Sequence, residues 1–158
     1  MGPLCLAVDI GGTKMAAGLV DTDGAISHAD RVPTPHSDDP EVVWSALARL
    51  IDARVASADG TIVTCGVGCG GPMESGGATV SPLNIKAWRR FPLRDRIAGL
   101  VGVPTAVDND AKALALGEGW RGAAVGCDNY LAMVVSTGVG GGIVLDGRLL
   151  GGRLGNAG

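Results

Sequence analysis

The chain has 158 residues, which suits one domain of ordinary size or slightly more, at roughly 150 residues per domain. Apolar residues make up 46% of it but aromatic residues only 3%, so its core must be built mainly from aliphatic side chains. Lysine and arginine total 13 against 16 for aspartate and glutamate, which gives a net charge of -3 without any basic stripe. This charge pattern disfavours nucleic acid as a partner.

The N-terminus enters an apolar segment directly, without the basic region and long apolar stretch of a signal peptide. No run approaches the ~20 apolar residues of a membrane helix, so a cytoplasmic protein with no membrane contact is predicted. The four cysteines, at 5, 65, 69 and 127, form no CxxC pair and lie near no histidine cluster. We expect them to remain reduced, without disulfides or structural zinc.

In chain order, three short strands are predicted first, at residues 4–10, 14–20 and 25–31. The turn-forming tetrapeptide Asp21-Thr22-Asp23-Gly24 joins the second to the third, so the three should form an antiparallel meander. A helix over residues 40–58 follows, because Asp39 suits an N-cap, Pro40 suits the first helical position, and apolar residues recur at helical spacing. Residues 62–68 are then typical of a buried strand.

After an irregular stretch to about residue 90, two more helices and four more strands are predicted. The helices cover 93–101 and 110–120, and the strands cover 105–107, 130–137, 142–145 and 148–150. Glycines at 122 and 126 mark a joint before the last three strands. An antiparallel meander that leads into alternating strands and helices indicates the α/β class, with a mixed sheet and flanking helices.

The hexapeptide Asp9-Ile10-Gly11-Gly12-Thr13-Lys14, between the first two strands, has the composition of a phosphate-binding turn. Two glycines can adopt positive φ and point backbone N–H groups outward, which forms an anion-binding nest. Thr13 adds a hydroxyl donor and Lys14 a cation. Asp9 suits a water molecule of a phosphate-bound Mg²⁺, an ion that keeps most of its water and prefers carboxylates. The alternative is an ordinary hairpin with a Gly-Gly turn.

A second glycine-rich segment, Ser136-Thr137-Gly138-Val139-Gly140-Gly141-Gly142, also separates two predicted strands. Like the first, it combines a reversal of the chain with a threonine, and it should present N–H groups to an anion. One such hairpin alone is compatible with a simple turn. Two that face each other across a cleft would grip a polyphosphate from both sides, so the pair predicts a polyphosphate site.

A third glycine segment, residues 66–71, matches the GxGxxG pattern of dinucleotide-binding turns. In those folds the pattern opens a helix, but here Pro72 and then Glu74-Ser75-Gly76-Gly77 follow. The context therefore argues against an NAD-dependent oxidoreductase. The P-loop pattern GxxxxGK[ST] is absent from the sequence.

Four ordered motifs resemble the ROK (repressor, open reading frame, kinase) family of sugar kinases and sugar-responsive proteins, within the actin-like ATPase superfold. They are DIGGTK at 9–14, GGP at 70–72 with SPLN at 81–84 and Trp88, NDA at 109–111 with GE at 117–118, and TGVGGG at 137–142 with GNAG at 155–158. The resemblance covers nearly the whole chain. It implies an actin-like (ribonuclease H-like) small lobe followed by the first hairpins of a second lobe.

The resemblance also implies roles for particular residues. The first phosphate loop of the family falls on residues 9–14 and the second on residues 137–142, so both would bind the phosphates of ATP. The positions concerned are Asp9, Gly11, Gly12, Thr13, Lys14, Thr137, Gly138 and Gly140, and Mg²⁺ would lie near Asp9. The sugar-contacting positions of the family fall on Gly71, Asn84, Asn109 and Asp110. Its catalytic base falls on Asp110.

The role implied for Asp110 agrees with its chemistry. Phosphorylation of a hydroxyl requires a carboxylate within hydrogen-bond reach of the attacking oxygen. Asp110 follows Asn109, an expected N-cap, so it should lie in the first turn of a helix whose dipole favours the ionised form. The alternative is that Asp110 only stabilises this helix end. Spacing alone does not separate it from Asp108.

Asn84 lies in a loop, where its amide can offer a donor and an acceptor to neighbouring sugar hydroxyls, although turns also favour asparagine. Trp88 either covers a sugar face or anchors this loop, and we favour the anchor.

The end of the chain departs from the family. In the family, the segment that matches 155–158 is followed by a sugar-binding Glu and a His, then by a cysteine-rich zinc site and the rest of the nucleotide-binding lobe. The resemblance therefore implies that residues 1–125 form a complete small lobe and that 126–158 begin a truncated second lobe. Structural zinc is expected only in the missing part. Ser136 also stands where the family usually has glycine.

The predicted strands after residue 126 would have unpaired edges and an uncovered apolar face. We expect either a missing C-terminal part or association between copies, such as a homodimer, to cover them. With half of the nucleotide pocket missing, the chain alone should not turn over efficiently.

The sequence thus predicts the N-terminal part of a kinase that transfers a phosphoryl group from ATP or polyphosphate to a hexose such as glucose. The alternative is a non-catalytic sugar sensor or transcriptional regulator of the same family. Regulators carry a helix-turn-helix segment ahead of the phosphate loop, whereas only eight residues precede Asp9 here, which favours the kinase.

Overall fold

A mixed five-stranded sheet organises the first part of the chain in the computed structural model, which describes residues 2–135, 138–153, 155 and 157. Its strands are β1 (Pro3–Ile10), β2 (Lys14–Val20), β3 (Ile26–Pro33), β4 (Thr61–Cys69) and β5 (Thr105–Asn109), in the spatial order β3-β2-β1-β4-β5. β1, β2 and β3 pair antiparallel, while β4 runs parallel to β1 and to β5. The predicted meander and the mixed sheet are confirmed.

Three helices flank this sheet: α1 (Pro40–Ala56), α2 (Leu93–Val101) and α3 (Asp110–Arg121). α1 begins where the sequence predicts, because the Asp39 side chain accepts a hydrogen bond from the Glu41 N–H at 2.9 Å and Pro40 opens the helix. α1 packs on β1, β2 and β3, and α2 packs on β5. The core between the sheet and these two helices is mainly aliphatic, as the composition predicts. It includes Leu6, Val8, Ile10, Met15, Leu19, Val43, Leu47, Ile51 and Ile97.

A second, antiparallel sheet follows, formed by β6 (Tyr130–Val135), β7 (Val139–Leu145) and β8 (Arg148–Leu149). α3 packs between the two sheets, since it contacts β4 and β5 on one side and β6 and β7 on the other. Among the helices that the structure describes, none is long and apolar enough to cross a membrane.

The prediction of a glycine-rich loop up to residue 142 is wrong, because β7 already begins at Val139. Two of the three glycines in this strand, Gly140 and Gly142, face α3 at close range. A Cβ on Gly142 would lie 2.5 Å from the Cβ of Ala115, and a Cβ on Gly140 would lie 3.0 Å from the Cβ of Ala111. Glycine is needed here so that strand and helix can approach each other closely. Residues 136 and 137, the predicted tip of this hairpin, lie outside the described residues.

Candidate active site

The predicted site residues gather at one edge of the first sheet. β1, β4 and β5 are parallel and end together, so that Asp9, Gly68 and Asp108 are in register across the three strands. The turn after β1, the loop after β4 and the start of α3 therefore meet at this edge. In open α/β sheets, the carboxyl ends of the strands are where ligands bind.

The turn between β1 and β2 is held by its own backbone and by a distant threonine. The Gly11 N–H donates to the Lys14 carbonyl at 2.9 Å. Thr34, which is buried, donates its hydroxyl to the Gly11 carbonyl at 2.7 Å and its N–H to the Thr13 carbonyl at 3.0 Å. Sequence patterns do not reveal Thr34, because its contact with Gly11 spans 23 residues of chain.

The expected reason for the glycines in this turn is wrong, since neither Gly11 nor Gly12 has a positive φ. Their lack of a side chain matters instead. A Cβ on Gly11 would lie 3.0 Å from the Lys14 carbonyl oxygen, and a Cβ on Gly12 would overlap the Cβ of Asn84. The candidate phosphate turn and the candidate sugar residue are therefore in direct contact.

Asn84 is exposed on a loop that buried aromatic residues anchor. Trp88 is fully buried and stacks on Phe91, with ring centroids 4.4 Å apart and ring planes 3° apart. Its indole N–H donates to the Pro40 carbonyl at 3.3 Å, which ties the loop to the start of α1. The anchoring role predicted for Trp88 is confirmed, and its burial leaves no face for a sugar. Gly71 lies at the start of the same loop, two residues after β4.

The start of α3 has the predicted cap. The Asn109 side-chain oxygen accepts hydrogen bonds from the Ala111 N–H at 3.0 Å and the Lys112 N–H at 3.3 Å. Asp110 is the first residue of the helix, and a Cβ on Gly68 would lie 3.4 Å from its Cα. Glycine at 68 thus lets β4 approach the backbone that carries Asp110.

Asp108 has a different set of neighbours. Its carboxylate accepts a hydrogen bond from the Asn109 N–H at 2.7 Å and lies 3.9 Å from the buried Lys112 ammonium. Asp108 and Lys112 line a cavity of about 240 Å³ together with the 3₁₀ turn Ser75–Gly77. Lys112 also donates to the Gly155 carbonyl at 2.5 Å, so it connects α3 to the last segment of the chain.

Electrostatic effects connect Asp9 with Asp110. Partial burial raises the pKa of the Asp9 carboxyl, and the neighbouring Asp110 carboxylate raises it further, while Lys14 lowers it. Burial raises the pKa of the Cys69 thiol to about 12, and Asp110 and Asp9 contribute in that order. Cys69 is therefore a neutral, inert thiol at physiological pH. The Asp110 carboxylate thus acts on Asp9, while Asp108 lies beside Lys112.

The carboxylates suit a phosphate-bound magnesium ion better than a metal held by protein alone. Among the described residues, no group of three or more His, Cys, Asp and Glu side chains could hold a metal ion. Mg²⁺ in phosphate-transfer sites keeps several waters and uses only one or two carboxylates. Asp9, with the Asp110 carboxylate beside it and Lys14 at the end of the turn that follows β1, fits that requirement.

The second glycine segment reaches the same helix start. Gly140 packs against Ala111, the residue after Asp110, whereas no atom lies within 4 Å of a Cβ built on Gly138. Gly138, two residues before Gly140, therefore borders open space. Thr137, the other residue predicted to bind phosphate in this segment, lies outside the part of the chain that the structure describes.

The mixed sheet with flanking helices and a second small sheet is the actin-like ATPase fold that ROK sugar kinases share. Residues 5–158 match the ROK family, and the chain belongs to that family. It is 39% identical over 155 residues to a glucokinase of Streptomyces coelicolor, an alignment that covers 98% of this chain and 47% of the relative. The chain spans about half the length of the curated relatives it matches.

Two solved structures extend the comparison. A ROK family glucokinase from Streptomyces griseus, in complex with glucose and AMPPNP, is 38% identical, with a TM-score of 0.85 over 96% of this chain and 47% of the glucokinase. A ROK family transcriptional regulator, a homologue of the E. coli MLC protein, is 26% identical, with a TM-score of 0.83 over 100% of this chain and 40% of the regulator. The same fold thus occurs in a kinase and in a regulator.

Proposed function

We propose that this chain is the N-terminal part of a sugar kinase, which transfers a phosphoryl group from ATP or polyphosphate to a hexose such as glucose. One observation carries the proposal: the turn at Gly12 is packed against Asn84, beside the two aspartates Asp9 and Asp110. A kinase needs this combination, because the phosphate donor and the sugar hydroxyl must meet at one carboxylate. The Streptomyces griseus glucokinase, in complex with glucose and AMPPNP, supports this pair of ligands.

In this proposal, the chain supplies one side of the site. Residues 1–125 are the small lobe, and residues 126–158 begin a second lobe that carries the rest of the nucleotide pocket. The hexose binds at Gly71, Asn84, Asn109 and Asp110. The phosphates bind at Gly11, Gly12, Thr13 and Lys14 on one side and at Thr137, Gly138 and Gly140 on the other.

The reaction needs a proton acceptor and a way to offset negative charge. The Asp110 carboxylate accepts the proton of the attacking sugar hydroxyl while the oxygen of that hydroxyl bonds to the terminal phosphorus. The bond from that phosphorus to the bridging oxygen breaks, and the remaining donor leaves. Lys14 offsets charge on the phosphates, and Asp9 would hold a magnesium ion through one of its water molecules. When bound, that ion neutralises further phosphate charge.

Exchange of Asp110 for asparagine tests this function. In the protein expressed from its complete reading frame, Asp110→Asn should lower kcat for glucose phosphorylation by about 10² to 10⁴, as expected for loss of a general base. A coupled assay of ADP release measures the rate, and thermal unfolding checks that the variant folds.

The neighbouring Asp108→Asn is the matched control, because it makes the same chemical change at the end of β5, where the carboxylate lies beside Lys112. We expect it to retain activity within a few-fold. If Asp110→Asn retains most of the wild-type rate, Asp110 is not the base. If the wild type phosphorylates no hexose, the proposed function is wrong.

A sugar-responsive regulator is the second candidate, and the likeness to the ROK transcriptional regulator supports it. A regulator would bind the hexose through Asn84 and Asp110 without phosphorylating it. Sugar binding measured by titration calorimetry, together with no turnover and with specific DNA binding, would favour this candidate.

A further inference from the structure

The loop that carries Asn84 consists of two successive turns. The Ile85 N–H donates to the Pro82 carbonyl at 3.2 Å, and the Trp88 N–H donates to the Ile85 carbonyl at 3.1 Å. Pro82, Ile85 and Trp88 are buried, and Asn84 is exposed between them. The buried residues recur every third position, so their carbonyl groups point in a similar direction, as at the end of a short helix.

One cationic side chain, that of Arg89, donates hydrogen bonds to all three of these carbonyl groups. Nη1 of Arg89 donates to the carbonyl oxygens of Pro82 at 3.0 Å, Ile85 at 3.1 Å and Trp88 at 2.6 Å. A basic side chain commonly binds the last carbonyls of a helix in this way, and hydrogen bonds from a charged donor are about twice as strong as neutral ones. Arg89 therefore joins both turns into one unit.

This unit sets the position of Asn84. The Cβ of Asn84 lies so near Gly12 that a Cβ on Gly12 would clash with it. A small shift of the loop would therefore either press Asn84 against the phosphate turn or open a gap between them. Trp88 anchors the far end of the loop through Phe91 and Pro40. Arg89 holds the near end, where Pro82 and Ile85 flank Asn84.

We propose that Arg89 is a positioning residue for the sugar site: through three carbonyls it orients the Asn84 amide toward the hexose. This role rests on the proposed function. Loss of Arg89 should weaken hexose binding selectively, because the phosphate turn has its own support from Thr34. No motif marks Arg89, since its partners are backbone atoms.

The next residue provides a matched control. Arg90 carries the same charge, but its side chain is 78% exposed and forms an ion pair with Glu74 at 3.0 Å. Its contact with the loop is through its backbone N–H, which donates to Ser81 Oγ at 2.9 Å and persists in any variant except proline. Arg90→Met therefore removes charge from this surface without removing the carbonyl contacts.

The experiment compares Arg89→Met, Arg89→Lys and Arg90→Met in the protein expressed from its complete reading frame. Arg89→Met should raise KM for glucose about tenfold, equal to about 1.4 kcal/mol, and leave KM for ATP within twofold. Arg89→Lys should keep KM for glucose close to the wild-type value, because an ammonium group offers three N–H donors at one nitrogen. Arg90→Met should match the wild type.

Hydrogen exchange of the backbone amides of residues 82–88 gives a second readout. It should become at least tenfold faster in Arg89→Met and stay unchanged in Arg90→Met. If Arg89→Met leaves KM for glucose unchanged, or raises both KM values equally, the positioning role is overturned even where exchange accelerates. A wild type that phosphorylates no hexose would overturn the proposed function itself, and with it any role of Arg89 toward a sugar.

Discussion

At the scale of single residues, Asp9 links the chemistry of the site to the stability of the chain. Its carboxyl has a raised pKa, because burial and the Asp110 carboxylate both disfavour its ionised form. The folded protein therefore holds the Asp9 proton more tightly than the unfolded chain does. Ionisation of Asp9 lowers the free energy of unfolding of the ligand-free protein. A cation bound near Asp9 would reduce that loss.

The sign of the pH dependence follows from the raised pKa. The stabilising contribution of protonated Asp9 is fully present below its unfolded pKa and is lost as pH rises through the folded pKa. Asp9→Asn removes this dependence. The free energy of unfolding of the variant should therefore rise relative to that of the wild type as the pH increases from about 4 to neutral. Urea denaturation across this range measures it.

The control for this prediction is Asp52→Asn, an exposed aspartate on α1. It makes the same exchange at an exposed position and so shows what the change from aspartate to asparagine does by itself. If the unfolding free energies of Asp9→Asn and of the wild type run parallel over this pH range, the raised pKa of Asp9 is contradicted.

At the scale of elements, the packing of α3 against β7 depends on glycine, which has no side chain, at two positions of the strand. Gly142 and Gly140 bring the strand onto Ala115 and Ala111 of the helix, and this contact joins the second sheet to the first. The sequence shows a glycine run at this point, and phosphate-binding hairpins also have one. Only the register of the strand on the helix distinguishes the two roles.

Gly142→Ala tests this packing. The added Cβ would lie 2.5 Å from the Cβ of Ala115, so the change should lower the free energy of unfolding by about 1–3 kcal/mol, as overpacking typically does. Adding Ala115→Gly should recover part of the loss, because it removes the overlapping atom. Chemical denaturation of both single variants and of the double variant measures the coupling.

Gly117→Ala is the control in the same helix. No atom lies within 4 Å of a Cβ at that position, and alanine is the better helix former, so stability should rise by about 0.5–1 kcal/mol. A Gly142→Ala variant as stable as the wild type would show that β7 can move away from α3.

At the scale of the whole molecule, the second sheet has one covered and one open face. The open face carries apolar side chains from both long strands, with exposed fractions of 58% for Leu131, 56% for Met133, 76% for Val135, 71% for Val139 and 48% for Leu145. Soluble monomers rarely expose such contiguous apolar surface. We propose that either the remaining part of a ROK protein or a second copy of this chain covers this face.

The 158-residue chain, prepared by itself, should therefore self-associate. Met133→Lys places a charge in the middle of the open face and should shift the chain toward monomer, as measured by light scattering after gel filtration. Val63→Lys is the matched control, since Val63 is 48% exposed on the first sheet and away from this face. A monodisperse wild-type monomer would contradict the expectation.

The sequence by itself was sufficient for the features that depend on neighbours along the chain. The meander, the start of α1 at Asp39 and Pro40 and the cap at Asn109 all follow from local patterns, and the structure contains them. Ordered motifs also predicted the ROK family. These features follow from short-range hydrogen bonding and periodic burial, which a sequence states directly.

Only the tertiary structure decided which of these residues meet. It brings Gly12 onto Asn84 and places Asp110 beside Asp9 and Asp108 beside Lys112. It also places Gly140 and Gly142 in a strand that packs against α3. Thr34 and Arg89 donate to backbone carbonyls, which every residue has, so no side-chain pattern in the sequence indicates their partners. Contacts between distant segments depend on strand order and register, and those are properties of the folded chain as a whole.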